Sequence, residues 1–186
     1  MRIISGNLKG RSISFLKSSK TRPLKDSVKE NVFNIINHSN LINVKLINSN
    51  VLDLYSGIGS FGIECISRGS NSVTFVENDV KALHILNQNL KKLMIQGKTT
   101  IYQNKIVSFI KNFRQVNKYE IIFLDPPFAE DFFLEDLKLI KKYELYSKNH
   151  LVVIHREKSS CVQLESHLNV LLSKEYGKSK IIFGSF

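Results

Sequence analysis

The chain is 186 residues long, 42% hydrophobic and 23% charged, which suits one soluble domain with a substantial core. Its apolar runs, such as 121–124 and 151–154, fall far short of the roughly 20 residues that a membrane-spanning helix needs, and no secretory signal opens it. Two distant cysteines, Cys65 and Cys161, fit a reducing cytoplasm and argue against a structural zinc site.

Charge is unevenly placed. Lys and Arg number 27 against 16 Asp and Glu, a formal net charge of +11. The first 30 residues hold Arg2, Lys9, Arg11, Lys17, Lys20, Arg22, Lys25 and Lys29 against only Asp26 and Glu30. A polyanionic partner is the natural reading, and a lysine-solvated surface is the plain alternative.

In chain order, residues 2–4 and 11–15 alternate in polarity around Gly6 and Gly10 and predict a basic β-hairpin. A turn at Thr21-Arg22-Pro23 leads to a helix with Val28, Val32, Ile35 and Ile36 at helical spacing, and Ser27-x-x-Glu30 is a candidate capping box. From there strand and helix alternate. Strands are expected at 51–55, 72–77, 99–102, 120–124 and 151–154, and helices at 60–68, 80–94, 106–113 and 132–142. Such alternation implies right-handed βαβ units and a parallel sheet covered on both faces. Segments 170–176 and 180–183 flank Gly177 and predict an antiparallel hairpin that closes the sheet. The expected fold is therefore α/β: a Rossmann-like, mostly parallel seven-stranded sheet with a closing hairpin, and a small N-terminal hairpin beside it. Residues 1–24 form the basic extension and 25–186 the main domain. Ligands in such sheets bind beyond the carboxyl ends of the strands.

Two motifs fall at those ends. Asp53-Leu-Tyr55-Ser56-Gly57-Ile-Gly59-Ser-Phe-Gly62 joins a strand to a helix start, and Glu77 ends the next strand 20 residues after Gly57. This spacing formally matches a dinucleotide fingerprint, in which the distal acid takes a ribose. Asp53 decides against a pyrophosphate, because a carboxylate beside the loop repels phosphate and attracts an ammonium or a sulfonium. The second motif, Asp125-Pro126-Pro127-Phe128, ends an apolar strand. Two prolines remove two N–H donors and leave carbonyls as acceptors. Asp125 and the Pro126 carbonyl are placed to accept both hydrogens of an exocyclic amino group, with Phe128 stacked on its ring. Such a site works by alignment and electrostatics.

The first motif resembles the D-x-F/Y-x-G-x-G loop of class I S-adenosylmethionine-dependent methyltransferases, and the second the D/N-P-P-Y/F signature of those that act on amino nitrogens. Arg2-Ile-Ile-x-Gly-x-x-Lys-Gly-Arg11, Thr21-Arg22-Pro23, Asp26-x-Val-Lys-Glu-x-Val-Phe33-Asn34, Ser67-Arg68-Gly69 and Lys174-x-Tyr-Gly177 extend the likeness along nearly the whole chain. It resembles the bacterial small-subunit rRNA guanine-N2 methyltransferases of the RsmD family. The resemblance implies S-adenosylmethionine as cofactor, no metal, and a guanine of 16S rRNA in the small ribosomal subunit as target. It implies that Asp53, Tyr55, Ser56, Gly57 and Gly59 line the methionine end of the cofactor, that Glu77 with Asn78 holds the ribose, and that Asp125, Pro126, Pro127 and Phe128 hold the base. Lys9, Arg11 and Arg22 are the expected phosphate contacts, and a lid or packing strand with no RNA contact is the alternative for residues 1–24. Two positions depart from the family: Lys105-Ile106 stands where an acid or Asn precedes Ala, and His155 stands where an acid is usual.

Three rivals remain. A DNA adenine-N6 methyltransferase shares both motifs but commonly carries a separate target-recognition domain, for which the chain has no room. An RNA-binding ribosome-assembly factor on an inactive scaffold has no need of Asp53, Glu77, Asp125 and Phe128 together. An NAD-dependent dehydrogenase leaves the Pro-Pro motif unexplained. A monomer in the cytoplasm is the default expectation.

Overall fold

The computed structural model describes residues 1–15, 24–113, 118–127 and 132–186. Two expected site residues, Arg22 and Phe128, and the turn at 21–23 lie outside them.

The elements alternate as β1 (Asn50–Leu54), α2 (Ser60–Ser67), β2 (Ser72–Glu77), α3 (Val80–Leu93), β3 (Thr99–Gln103), α4 (Ile106–Lys111), β4 (Tyr119–Leu124), α5 (Phe133–Lys142) and β5 (Tyr146–Glu157), after a first helix α1 (Asp26–His38). Two more strands, β6 (Asn169–Tyr176) and β7 (Ser179–Ser185), finish the chain. The sheet runs β3-β2-β1-β4-β5-β7-β6. The first five strands are mutually parallel, and β7 is antiparallel to both β5 and β6. This is the class I methyltransferase fold. The strand order reverses between β1 and β2 on one side and β4 on the other, which opens the ligand crevice above β1 and β4.

Alternation along the strands sorts their side chains onto two faces. Val51, Ile121, Leu151 and Ile181 belong to the core beneath α1, α2 and α3. Leu52, Ile122, Val152 and Ile182 belong to the core beneath α4 and α5. Their burial on both sides explains why β1 and β4 read as nearly continuous apolar runs.

Local signals set a few of the helix ends. The Asp79 side chain accepts the Ala82 N–H at 2.8 Å and caps α3, which ends at Met94 in the left-handed region. Gly69, at φ +100°, follows α2 and donates its N–H to the Ile66 carbonyl at 3.1 Å, so Arg68-Gly69 does form a glycine C-terminus. The proposed capping box does not form. Helix α1 begins at Asp26, and Lys25 precedes it without a side-chain cap. Ser27 thus lies inside the helix, where its carbonyl accepts the Asn31 side-chain amide at 2.8 Å. Asp26 supplies the first-turn negative charge instead.

The N-terminal segment pairs with itself through one antiparallel bridge, Arg2 with Ser12. The reason it stays short is its docking onto α2 and α3. The fully buried Glu64 carboxylate accepts the N–H groups of Ile4 and Ser5, both at 2.9 Å, and the Arg68 guanidinium at 2.8 Å, with Lys29 at 3.6 Å. At Gly6, φ is +82° and a Cβ would stand 1.8 Å from the Ser67 carbonyl, so only glycine allows this approach. Among the described residues no helix is long and apolar enough to cross a membrane.

Candidate active site

The glycine loop rises from β1 through an unusual backbone. Tyr55 has φ +57°, a left-handed conformation that costs a non-glycine residue roughly 1–2 kcal/mol. Its hydroxyl donates to Asp136 of α5 at 2.5 Å. Burial pushes the Asp136 carboxyl above its ordinary range, partly offset by that hydrogen bond. The loop then turns tightly, with the Gly59 N–H donating to the Ser56 carbonyl at 2.8 Å, while the Ser56 N–H reaches back to Val76 at 3.2 Å.

The three glycines serve different ends. A Cβ on Gly59 would meet Leu86 at 2.4 Å, and one on Gly62 would meet the Phe75 ring at 2.4 Å. Both positions let α2 pack closely on its neighbours. Gly57, at φ +55°, has nothing within 4 Å on its Cβ side, so its backbone conformation and not packing calls for glycine.

Two carboxylates hold this loop by its N–H groups. Asp53, 1% exposed, accepts the Gly62 N–H at 2.9 Å. Glu77 accepts the Gly57 N–H at 2.7 Å through one oxygen, and those of Asn78 and Asp79 at 2.7 and 2.9 Å through the other. Asn78 itself is exposed. Burial drives the Asp53 carboxyl well above its ordinary range, the Gly62 hydrogen bond opposes this, and the charges of Asp125 and Glu77 raise it further. The three carboxylates therefore lie close enough for their charges to interact, and a cation near them relieves that repulsion. That donor set fits a ligand with an ammonium, a sulfonium and a ribose, and it fits a pyrophosphate poorly.

The second motif stands alongside. Its Asp125 N–H donates to the Leu54 carbonyl at the end of β1, at 3.4 Å. The two loops are thus stitched together across adjacent strands. Pro126 is buried and Pro127 exposed. The Asp125 side chain, 28% exposed, accepts from His155 Nδ1 at 2.8 Å. Arg156 Nη1 donates to the Pro127 carbonyl at 3.0 Å, with the guanidinium 4.7 Å above the Phe133 ring.

Asp53, Tyr55, Ser56, Gly57, Gly59, Glu77, Asn78, Asp125, Pro126 and Pro127 therefore lie together at the carboxyl ends of β1, β2 and β4. Lys9 and Arg11 do not. Both are exposed on a turn whose Asn7 and Leu8 N–H groups donate to Ser67 at 2.7 and 3.0 Å. Ser67 ends α2 and Gly59 precedes it, so the turn sits about 12 Å of helix away from the glycine loop.

Sequence reasoning missed the residues that hold these loops: His155, Arg156, Asp136 and Asn89. Asn89 is 1% exposed and donates to the Ile58 carbonyl at 3.3 Å while pairing with the backbone of Ser14. It ties the glycine loop to the N-terminal segment. The available signal was polarity at positions whose periodicity demands burial, as with His155 and Arg156 directly after the apolar run of β5.

A family model described as conserved hypothetical protein 95 matches residues 1–185. Ribosomal RNA small subunit methyltransferase D of Buchnera aphidicola (subspecies Baizongia pistaciae) is 33% identical over 187 residues, covering 100% of this chain and 91% of that one. YlbH of Bacillus subtilis, named as a candidate rRNA methyltransferase, is 33% identical over 159 residues, covering 85% and 83%. Among solved structures, the candidate methyltransferase yhhF of Escherichia coli superimposes with a TM-score of 0.82 at 23% identity, covering 99% of this chain and 96% of that one.

Proposed function

Since this chain belongs to the ribosomal RNA small subunit methyltransferase D family, we propose that it methylates the exocyclic N2 of a guanine in 16S rRNA of the small ribosomal subunit, with S-adenosylmethionine as donor. The observation that carries this reading is the stitch between the loops. The Asp125 N–H on the Leu54 carbonyl puts an amino-group acceptor next to a loop held by carboxylates. A methyl donor and an amino acceptor seated there are neighbours.

S-adenosylmethionine supplies an electrophilic methyl group on a sulfonium. Asp53 and the Tyr55–Gly59 backbone hold its methionine end, and the Asp53 charge, costly when buried alone, is offset by the cationic ligand. Glu77 exchanges part of its backbone hydrogen bonding for the ribose hydroxyls, with Asn78 beside it. Asp125 and the Pro126 carbonyl accept the two amino hydrogens of guanine and draw the nitrogen lone pair out of the ring. Phe128 stacks on the base, and Pro127 keeps the loop rigid. A bound sulfonium would give up its methyl group to the nitrogen and keep the bonding electron pair on sulfur. The proton then leaves nitrogen for Asp125 or water.

The target base must leave its stack to reach this crevice, at a cost of a few kcal/mol. Phosphate contacts by Lys9, Arg11 and Arg22 offset that cost. The position of Lys9 and Arg11 at the far end of α2 suits a grip on flanking RNA rather than on the target nucleotide. Residues 1–24 are on this reading the RNA-contacting extension of a single methyltransferase domain.

The test is methyl transfer from labelled S-adenosylmethionine to unmethylated small subunits, naked 16S rRNA and DNA in parallel, with nucleoside analysis. N2-methylguanosine from the ribosomal substrates is expected. N6-methyladenine in DNA overturns the substrate, and no transfer to any of them overturns the activity.

A further inference from the structure

We infer that His155 is the positioning residue of Asp125, with its ring anchored on the other side by Ser179 of β7. This rests on the reading of Asp125 as the acceptor of the target amino group. His155 replaces the acid that the resembled family carries after this strand, so the device belongs to this chain's own sequence.

The geometry is closed on both sides of the ring. His155 is 3% exposed. Its Nδ1 lies 2.8 Å from Asp125 Oδ1 and its Nε2 2.9 Å from the Ser179 hydroxyl. The register of the β5–β7 pair supplies both contacts. His155 faces Ile181, two residues along β7 from Ser179, and residues two apart on a strand share a face.

Chemistry then assigns the protons. An ionised carboxylate only accepts, so Nδ1 must carry a hydrogen. In the neutral ring Nε2 is consequently an acceptor, and the Ser179 hydroxyl is the group that donates to it. Asp125 disfavours the other tautomer, in which Nδ1 would confront it with a lone pair, and the serine hydroxyl, able to donate or accept, anchors the far side of the ring.

The bond engages one carboxylate oxygen and leaves the other for substrate. Among the described residues no hydrogen bond reaches Asp125 Oδ2, and the side chain is 28% exposed. Held through Oδ1, the carboxylate presents Oδ2 in one orientation to an incoming amino hydrogen. The next residue, Arg156, points to the opposite face and holds the Pro127 carbonyl at 3.0 Å. Two consecutive residues of β5 thereby fix both ends of the Asp125–Pro127 loop.

The test compares His155→Leu, His155→Asn and Ser179→Ala with the wild-type full-length protein. Steady-state rates are read with small subunits and S-adenosylmethionine, and thermal melts confirm folding. His155→Leu is expected to lower kcat about ten- to a hundredfold with both KM values nearly unchanged. His155→Asn keeps an N–H donor near Nδ1 and should recover most of that loss. Ser179→Ala should cost severalfold in kcat, because the ring is no longer anchored at Nε2.

A folded His155→Leu protein with wild-type kcat overturns the inference. So does a His155→Asn protein no better than His155→Leu, or an unaffected Ser179→Ala protein. A second readout needs no turnover: imidazole ¹⁵N shifts of the wild-type protein should show Nδ1 protonated and Nε2 bare, and the opposite tautomer overturns the assignment. Should wild-type protein methylate another amino group, or none, the proposed function fails while the shifts still decide the state of His155.

Discussion

The two loops above β1 and β4 are built from opposite halves of the peptide group. The glycine loop offers N–H groups, and carboxylates hold it: Asp53 takes Gly62, and Glu77 takes Gly57. The proline loop has given up its N–H groups at Pro126 and Pro127 and offers oxygens, and it is held by donors: His155 takes Asp125, and Arg156 takes the Pro127 carbonyl. The glycine loop consequently gathers negative side chains and suits a cationic ligand. The proline loop gathers acceptors and suits an amino group. On the proposed function, the two loops would bring a methyl donor of positive character beside acceptors of hydrogens, which is what methyl transfer to an amino nitrogen requires.

If the division of labour is real, the loops should fail separately. The largest effect is expected from Asp125→Ala, which should lower single-turnover methylation by about a thousandfold, as the loss of a key polar contact to the transition state does. Its S-adenosylmethionine affinity by calorimetry should stay close to wild type, and a matching collapse of affinity would show that the loops are not separable.

Gly62→Ala should destabilise the fold by about 1–3 kcal/mol in urea titrations, since it forces a methyl into the Phe75 ring in a packed core. Gly57→Ala meets open space but keeps φ +55°, so it should cost only about 1 kcal/mol of stability while weakening cofactor binding. Equal losses from both would erase the distinction between the packing and ligand-facing glycines.

Asp53→Asn sharpens the comparison through pH. The folded-state pKa of Asp53 lies well above its ordinary value of 3.8, so the folded protein holds this proton more tightly than the unfolded chain. The stability it contributes is complete below pH 3.8 and is lost as pH rises through the folded-state pKa. In melts of the cofactor-free protein, the wild type should therefore lose more stability than Asp53→Asn on going from acid to neutral pH. Asparagine keeps an oxygen for the Gly62 N–H. Parallel pH profiles for the two proteins would mean that Asp53 does not titrate as its burial demands. Added S-adenosylmethionine should stabilise the wild type more than the variant.

The smallest effect is expected at the remote turn. Lys9→Ala with Arg11→Ala should flatten the slope of log affinity against log salt by about two, with little change in turnover at saturating RNA. An unchanged slope would remove these residues from the RNA grip.

Much of the crevice was legible because its motifs are local. Gly57, Gly59 and Gly62 sit within six residues, and Asp125, Pro126 and Pro127 are consecutive. The strand at 72–77 reads directly from its apolar run, and Asp79 caps the following helix as its side-chain chemistry dictates. The capping box at Ser27 failed because a local pattern competes with tertiary packing. Lys29, within the same stretch, is 1% exposed beside Glu64, and the helix start follows that docking. Sequence reasoning left His155 out of the site because its meaning lies in Asp125 and Ser179, 30 and 24 residues away.

By itself, then, the sequence determined the α/β class and the two motifs at the strand ends, since hydrophobic period and residue spacing act over a few neighbours. Only the tertiary structure decided that one loop is held by carboxylates and the other by donors, that Asp53 is sealed beneath its loop, and that the basic turn of Lys9 and Arg11 docks at the far end of α2. The reason is physical. Every buried polar group needs a partner, and in a parallel sheet that partner comes from a neighbouring strand far away in the chain.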